Sequence, residues 1–97
     1  MRYQASTSVE IPAHRFAAFK SAVNRYVRAE HPHTTVDYVS VILDASANGN
    51  STVRVLVDSQ GGDHDDADQG TLEAVTHALL TIGAPLDGVV VVVAELD

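Results

Sequence analysis

Several residue types are scarce or absent in this sequence, and each absence removes a class of function. There is no cysteine among the 97 residues, which excludes disulfides, thiolate metal sites and cysteine nucleophiles. A small domain without disulfides suits a reducing compartment, so we expect a cytoplasmic protein. The longest apolar run, from Val89 to Ala94, is far shorter than the ~20 residues that cross a bilayer, and we expect no membrane partner.

Basic residues are also scarce. Six Lys and Arg stand against thirteen Asp and Glu, and the formal net charge is −7. Nucleic-acid binding depends on clustered Lys and Arg, so this balance argues against a direct nucleic-acid partner. The charge is uneven: positions 15 to 28 hold four of the six basic residues, whereas positions 58 to 73 hold six acidic residues and no basic one. We therefore expect a mildly basic helix and a strongly acidic region.

The chain has the length of a single domain, residues 1–97, with one core. Alternating apolar and polar residues predict strands, and apolar residues three and four apart predict helices. The predicted strands are Tyr3 to Ile11, Val36 to Ala45, Thr52 to Asp58 and Val89 to Leu96. The predicted helices are Ala13 to Glu30 and Thr71 to Ile82.

Turn and capping residues support these boundaries. Pro32, which lies between two histidines, is expected to stop the first helix. The pair Asn48-Gly49 lies between two strand patterns and predicts a tight hairpin. Thr71, or alternatively Asp68, is expected to cap the second helix, and Gly83 suits its end.

The resulting order, β-α-β-β-α-β, predicts an α+β fold of the ferredoxin-like sandwich type. Two right-handed crossovers joined by a hairpin give a four-stranded antiparallel sheet with two helices on one face. The expected order of strands across the sheet is fourth, first, third, second. The fourth strand is then an edge strand, and its apolar residues Val89 to Val93 need a cover. A homodimer supplies the simplest one.

The helix-free face of the two central strands is predicted to be mostly polar. It holds Gln4, Ser6, Ser8, Glu10, Thr52, Arg54, Leu56 and Asp58. The RNA-binding version of this fold needs stacking aromatics at such positions, and none is present. We expect Glu10 and Arg54 to face each other there as a cross-strand ion pair.

The segment from Gly61 to Gly70 carries Asp63, Asp65, Asp66 and Asp68, and we predict a mobile acidic loop. Aligned on Asp63, an EF-hand would need ligands or glycine where Ala67, Asp68 and Ala74 stand, so we expect no metal. No nucleophile elbow or triad order is found, and we assign no catalytic residue and no cofactor.

The favoured interpretation is a non-enzymatic interaction module. Its acidic residues Asp63, Asp65, Asp66 and Asp68, or the helix residues Arg25 and Arg28, would contact a protein partner. A basic protein is the expected partner of the acidic group, because complementary charge favours association.

A second interpretation stays open. The chain length, the element order and the valine-rich last strand resemble the dimeric α+β barrel proteins, which include small monooxygenases. In that family two sheets pack face to face and enclose a pocket. The resemblance implies a small-molecule-binding protein or a cofactor-independent enzyme, for which Glu10, Arg54 and Tyr38 are the candidate pocket residues.

Overall fold

The computed structural model describes residues 1–29 and 33–96. The elements are β1 (Arg2–Pro12), a 3₁₀ turn (Ala13–Arg15), α1 (Phe16–Val27), β2 (Thr35–Ala47), β3 (Asn50–Gln60), α2 (His64–Ile82) and β4 (Val92–Glu95). The sheet has four antiparallel strands in the order β2-β3-β1-β4. The predicted α+β fold, its four-stranded antiparallel sheet and its strand order are thus confirmed.

The register of the sheet follows from one tight turn. Asn48 and Gly49 have φ values of 56° and 80°, the positive values that a two-residue hairpin requires. Ala47 therefore pairs with Asn50, and β2 runs back along β3 from this turn. β3 pairs in turn with β1 over its whole length, from Arg2 opposite Gln60 to Pro12 opposite Asn50.

Alternation in the central strands divides the sheet into a buried and an open face. Odd-numbered residues of β1 and β3, such as Ile11, Val53 and Val55, are buried. Both helices cover this face and complete one core with Phe19, Val23, Val27, Val75, Leu79 and Ile82. The even-numbered residues lie on the opposite, helix-free face. Neither described helix is long and apolar enough to cross a bilayer.

Helix α2 begins at His64 rather than at Thr71, so the predicted acidic loop is wrong. Asp63 is the N-cap, and Asp65, Asp66 and Asp68 belong to the helix itself. The Asp63 carboxylate accepts from the Asp66 backbone N–H at 2.9 Å, and Asp66 Oδ2 accepts from the Asp63 N–H at 2.9 Å. This reciprocal cap lets the helix start early, whereas Thr71 is buried within it.

The other boundaries differ at the first helix and the last strand. Residues 13–15 form a 3₁₀ turn, and α1 ends at Val27. The predicted helix end at Glu30 and the stop at Pro32 lie outside the described residues. β4 covers only Val92–Glu95, and just before it the Thr7 hydroxyl donates to the Val90 carbonyl at 2.6 Å. In a longer β4 of the same register, this carbonyl would lie opposite Ser8.

Candidate functional site

The shortness of β4 leaves much of β1 without a neighbour on one side. β4 pairs with β1 only from Tyr3 to Ser6, although β1 continues to Pro12. Beyond Ser6 the chain on that side is irregular, and Gly88 turns it with a φ of 76°. The stretch of β1 from Ser8 to Pro12 is called the free edge below.

A cleft of about 410 Å³ lies against the free edge. We call it the β1 cleft. It is lined by Ser8, Val9, Glu10, Ile11, Pro12, Asn50, Leu79, Pro85, Asp87, Gly88 and Val89. Four elements meet there: β1, the start of β3, the last turns of α2 and the segment that leads to β4.

The lining of the β1 cleft combines an apolar wall with hydrogen-bonding groups. Ile11 and Leu79 supply apolar surface from β1 and α2, and Val89 supplies it from the segment before β4. Among the described residues of the lining, the charged ones are Glu10 and Asp87, and both are acidic. Clefts that bind small molecules have this general make-up of apolar surface with a few polar groups.

A second cleft, of about 320 Å³, adjoins the first and shares Ser8 and Gly88 with it. It opens beside β1 and is lined in addition by Ser6, Thr7, Arg54, Val90 and Val92. Arg54 is the basic residue among the described residues that line the two clefts.

The structure separates the three residues predicted for a ligand pocket. Glu10 lines the β1 cleft, and Arg54 lines the adjoining cleft. Tyr38 lies on the edge strand β2, pairs with Asp58 and lines neither. Its side chain is 57% exposed.

The predicted pairing of Glu10 with Arg54 is wrong. In the observed register Arg54 lies opposite Ser8, and Glu10 lies opposite Thr52. Arg54 instead bonds Asp44 of β2 across 3.3 Å. A bulge between Leu43 and Ala45 accompanies this contact, and such irregularities are not visible in the alternation of a sequence.

The acidic residues predicted as a partner contact cluster at the start of α2. The backbone N–H of Asp66 bonds the Asp63 carboxylate and lowers its pKa, and the Asp66 side chain and the Asp65 N–H add to this effect. Asp65 Oδ1 lies 3.7 Å from His64 Nδ1. Within the described residues no group of three or more His, Asp or Glu side chains is placed to hold a metal ion.

The basic residues predicted as a partner contact lie at the end of α1. Arg25 stacks over the Tyr26 ring at 4.8 Å from its centroid, and its Nη2 donates to the Tyr26 hydroxyl at 3.3 Å. The pKa of Tyr26 is lowered, first by the hydrogen bond with Thr81 and then by Arg25. Arg28 is the C-cap residue of α1 and is exposed.

Sequence reasoning missed most of the β1 cleft. Asp87 belonged to a predicted turn, and Asn50 belonged to a predicted hairpin. Both line the cleft that lies beside the unpaired part of β1. The one available signal was Gly88, whose position after Asp87 marks a change of chain direction before the valine run.

Comparison with known proteins supports the fold. No protein-family model matches the sequence, and no curated protein matches it. Among solved structures, a protein of Bordetella bronchiseptica provisionally named an antibiotic biosynthesis monooxygenase is similar, with a TM-score of 0.58 and 16% identity over 99% of this chain and 97% of that one. A Deinococcus radiodurans protein with the same provisional name gives a TM-score of 0.54 and 15% identity over 100% and 93% of the two chains.

A de novo designed protein, Foldit4, is equally similar in shape, with a TM-score of 0.58 and 14% identity over 97% of this chain and 94% of that one. That a designed chain matches as well as the natural ones shows that the likeness lies in the fold. The ferredoxin-like arrangement is therefore established, and the function has to be argued from the site.

Proposed function

We propose that this chain binds a small organic molecule in the β1 cleft, as a homodimer of the dimeric α+β barrel type. The observation that carries the proposal is the cleft itself. It has a volume of about 410 Å³ and lies where β1 has lost its neighbour strand. Ligand sites of small domains are typically concave, partly apolar and several hundred Å³ in volume.

The lining favours one kind of ligand. Its charged side chains, Glu10 and Asp87, are acceptors when ionised, and no Lys or Arg lies among the lining residues. An anionic ligand would meet two carboxylates there and a protein of net charge −7. A neutral or cationic molecule with an apolar body fits better, because Ile11, Leu79 and Val89 can cover that body.

The structural neighbours support this function over an interaction module. The names of two of them refer to antibiotic biosynthesis, which is small-molecule chemistry. If this chain is also an enzyme, Glu10 and Asp87 are the titratable side chains in the lining that could take up or release a proton.

The homodimer part of the proposal rests on the open face of the sheet. Exposed apolar side chains flank its polar centre: Ile42 of β2 is 41% exposed, and Val92 of β4 is 62% exposed. Their strand partners, Arg54 and Ser6, belong to the open face, which places both side chains there. A second copy packed on this face would cover both flanks, and twofold pairing is the commonest way to do so.

Binding can be tested by two-dimensional ¹⁵N NMR with a set of small aromatic probes, comprising phenethylamine, benzyl alcohol and benzoate. We expect shifts for phenethylamine and benzyl alcohol that centre on Ser8, Glu10 and Val89, and much weaker ones for benzoate. Val89→Trp should fill the cleft and abolish the shifts, whereas Leu80→Trp on the exposed side of α2 should not. Shifts that centre elsewhere, or none with any probe, would refute the function.

A further inference from the structure

We infer that the free edge of β1 is the hydrogen-bonding element of the β1 cleft, and that it recognises a ligand through an amide group. The group meant is a primary amide, which carries an N–H donor and a C=O acceptor on the same side, as does each residue of a strand edge. The inference rests on the proposed function and adds the chemical class of the ligand.

The direction of the backbone groups in β1 follows from the hydrogen bonds at its two ends. Toward β3, the Gly61 N–H donates to the Met1 carbonyl at 3.3 Å, and the Ala13 N–H donates to the Gly49 carbonyl at 2.8 Å. Toward β4, the Leu96 N–H donates to the Arg2 carbonyl at 2.9 Å. Because the N–H and C=O of one strand residue point to the same side, odd-numbered residues bond β3 and even-numbered ones face β4.

This alternation makes Ser8 and Glu10 the recognition residues. Their N–H and C=O groups point to the side where β4 is missing, and no backbone partner for them is found within residues 1–29 and 33–96. Both residues line the β1 cleft. Pro12, the next even-numbered residue, has no N–H, so it offers only its carbonyl.

The rest of the chain does not complete the ladder. Continued pairing would place Val90 opposite Ser8, but within the described residues no backbone bond joins the two, and the Val90 carbonyl accepts from the Thr7 hydroxyl at 2.6 Å. Gly88, which would follow opposite Glu10, turns the chain away with a φ of 76°. The free edge is therefore left for another molecule.

An amide matches this edge better than other polar groups. A primary amide has one N–H on the same side as its C=O, so it can pair with the C=O and N–H of a single residue, as a residue of a neighbouring strand does. A carboxylate offers only acceptors and would lie beside Glu10 and Asp87. An ester offers no donor and leaves the strand carbonyl unpaired.

The test compares two probes that differ in one group, the primary amide phenylacetamide and the ester methyl phenylacetate. Both are titrated into the ¹⁵N-labelled protein, and the Ser8 and Glu10 amide signals report the contact. We expect the amide to bind on the order of three- to tenfold more tightly than the ester, the effect of one neutral hydrogen bond. Equal affinities in the β1 cleft would overturn the inference and leave the proposed function intact, whereas no binding of either probe would overturn both.

Proline and glutamine variants distinguish a ligand contact with the backbone N–H from a contact with the Glu10 side chain. Ser8→Pro and Glu10→Pro each remove one N–H of the free edge, and the one that removes the contacted N–H should weaken amide and ester alike, because the carbonyl of both probes accepts there. Glu10→Gln keeps the N–H and should weaken neither. Unchanged binding in both proline variants would overturn the inference. Because these two N–H groups take no part in the sheet, Glu10→Pro and Ser8→Pro should both fold, as prolines at edges do. Val9→Pro, which removes an N–H bonded to β3, should not.

Hydrogen exchange of the protein without any probe gives a third readout. The amides of Ser8 and Glu10 should exchange quickly, and those of Val9 and Ile11 slowly. Slow exchange at Ser8 and Glu10 would show that a second copy or the segment before β4 already covers the edge, and the inference would fail. Unfolding of Glu10→Pro and Ser8→Pro would count against it in the same way.

Discussion

Gly62 and Gly49 both adopt positive φ, yet their surroundings differ. Gly49, in the hairpin, has a φ of 80° and no atom within 4 Å of where a Cβ would stand. Gly62, just before α2, has a φ of 64°, and its Cβ would lie 2.7 Å from Asp66 Oδ2 and 3.0 Å from the His33 carbonyl oxygen. Backbone conformation thus requires a glycine at both sites, and space requires it at only one.

Gly62→Ala should therefore destabilise the fold more than Gly49→Ala. Left-handed backbone costs either alanine about 1–2 kcal/mol. At Gly62 the methyl group also displaces the Asp66 carboxylate from the Asp63 N–H, and the His33 carbonyl belongs to the backbone and cannot move aside cheaply. Urea denaturation of both variants measures the difference, and equal losses would contradict the described packing.

The Asp63 carboxylate makes the stability of the fold depend on pH, and a variant that cannot titrate isolates its contribution. The Asp66 N–H holds the pKa of Asp63 below its usual range, so the folded state favours the carboxylate. Its contribution is fully present above the unfolded pKa of about 4 and is lost as pH falls through the lower folded pKa. Asp63→Asn keeps a capping oxygen but cannot titrate, so its melting temperature should fall less than that of the parent below pH 4.

Asp63→Ala completes this comparison, because it removes the cap at every pH. It should lower the melting temperature at pH 7, where Asp63→Asn changes it little. It should also speed amide exchange at Asp66 and Ala67, whose N–H groups bond the Asp63 carboxylate and carbonyl. Fast exchange of these two amides in the parent protein would instead support the mobile loop expected from the sequence.

At the scale of elements, alternation and helical spacing were enough to predict all four strands and both helices. They were not enough for the element ends, because ends depend on single hydrogen bonds. Four aspartates between residues 63 and 68 each suit a cap, and only geometry selects Asp63. Similarly, the valine run predicts a long β4, whereas the observed strand is Val92–Glu95 and the Val90 carbonyl before it bonds the Thr7 hydroxyl.

That hydroxyl gives a prediction for the junction of β1 and β4. Thr7 is buried, with 5% of its surface exposed, and its donation to the Val90 carbonyl ties the segment before β4 to β1. Thr7→Val keeps the shape and removes the bond, so we expect a loss of about 1 kcal/mol in the free energy of unfolding. Thr52→Val, an exposed position on β3, should change it by less than about 0.5 kcal/mol. Equal effects would contradict a role for the Thr7 bond.

For the whole molecule, the fold follows from the sequence and the site does not. Element order, hairpin and handedness leave few alternatives for a chain of 97 residues, and the sheet has the predicted strand order. The β1 cleft arises where β1 has no neighbouring strand. A sequence pattern indicates where strands form, but it does not indicate where the pairing between two strands stops. Of the residues predicted for a pocket, Glu10 lines this cleft because it lies on β1 beyond the end of β4.

The proposed homodimer would form through the open face of the sheet, so substitutions on that face test it. We expect sedimentation to give about twice the chain mass of 10.3 kDa at micromolar concentration. Val92→Glu and Ile42→Glu place a charge on the apolar flanks of that face and should each yield monomers, because burying an unpaired carboxylate is costly.

Leu80→Glu is the matched control for this test. Leu80 is 58% exposed, as strongly as Val92, but it lies on α2, on the other side of the sheet. Its substitution should leave the dimer intact. A parent protein that sediments as a monomer would refute the dimer. Dissociation by Leu80→Glu, with Val92→Glu and Ile42→Glu still dimeric, would move the interface to the helices. In that case the open face would stay in contact with solvent, and its polar centre would need no second copy.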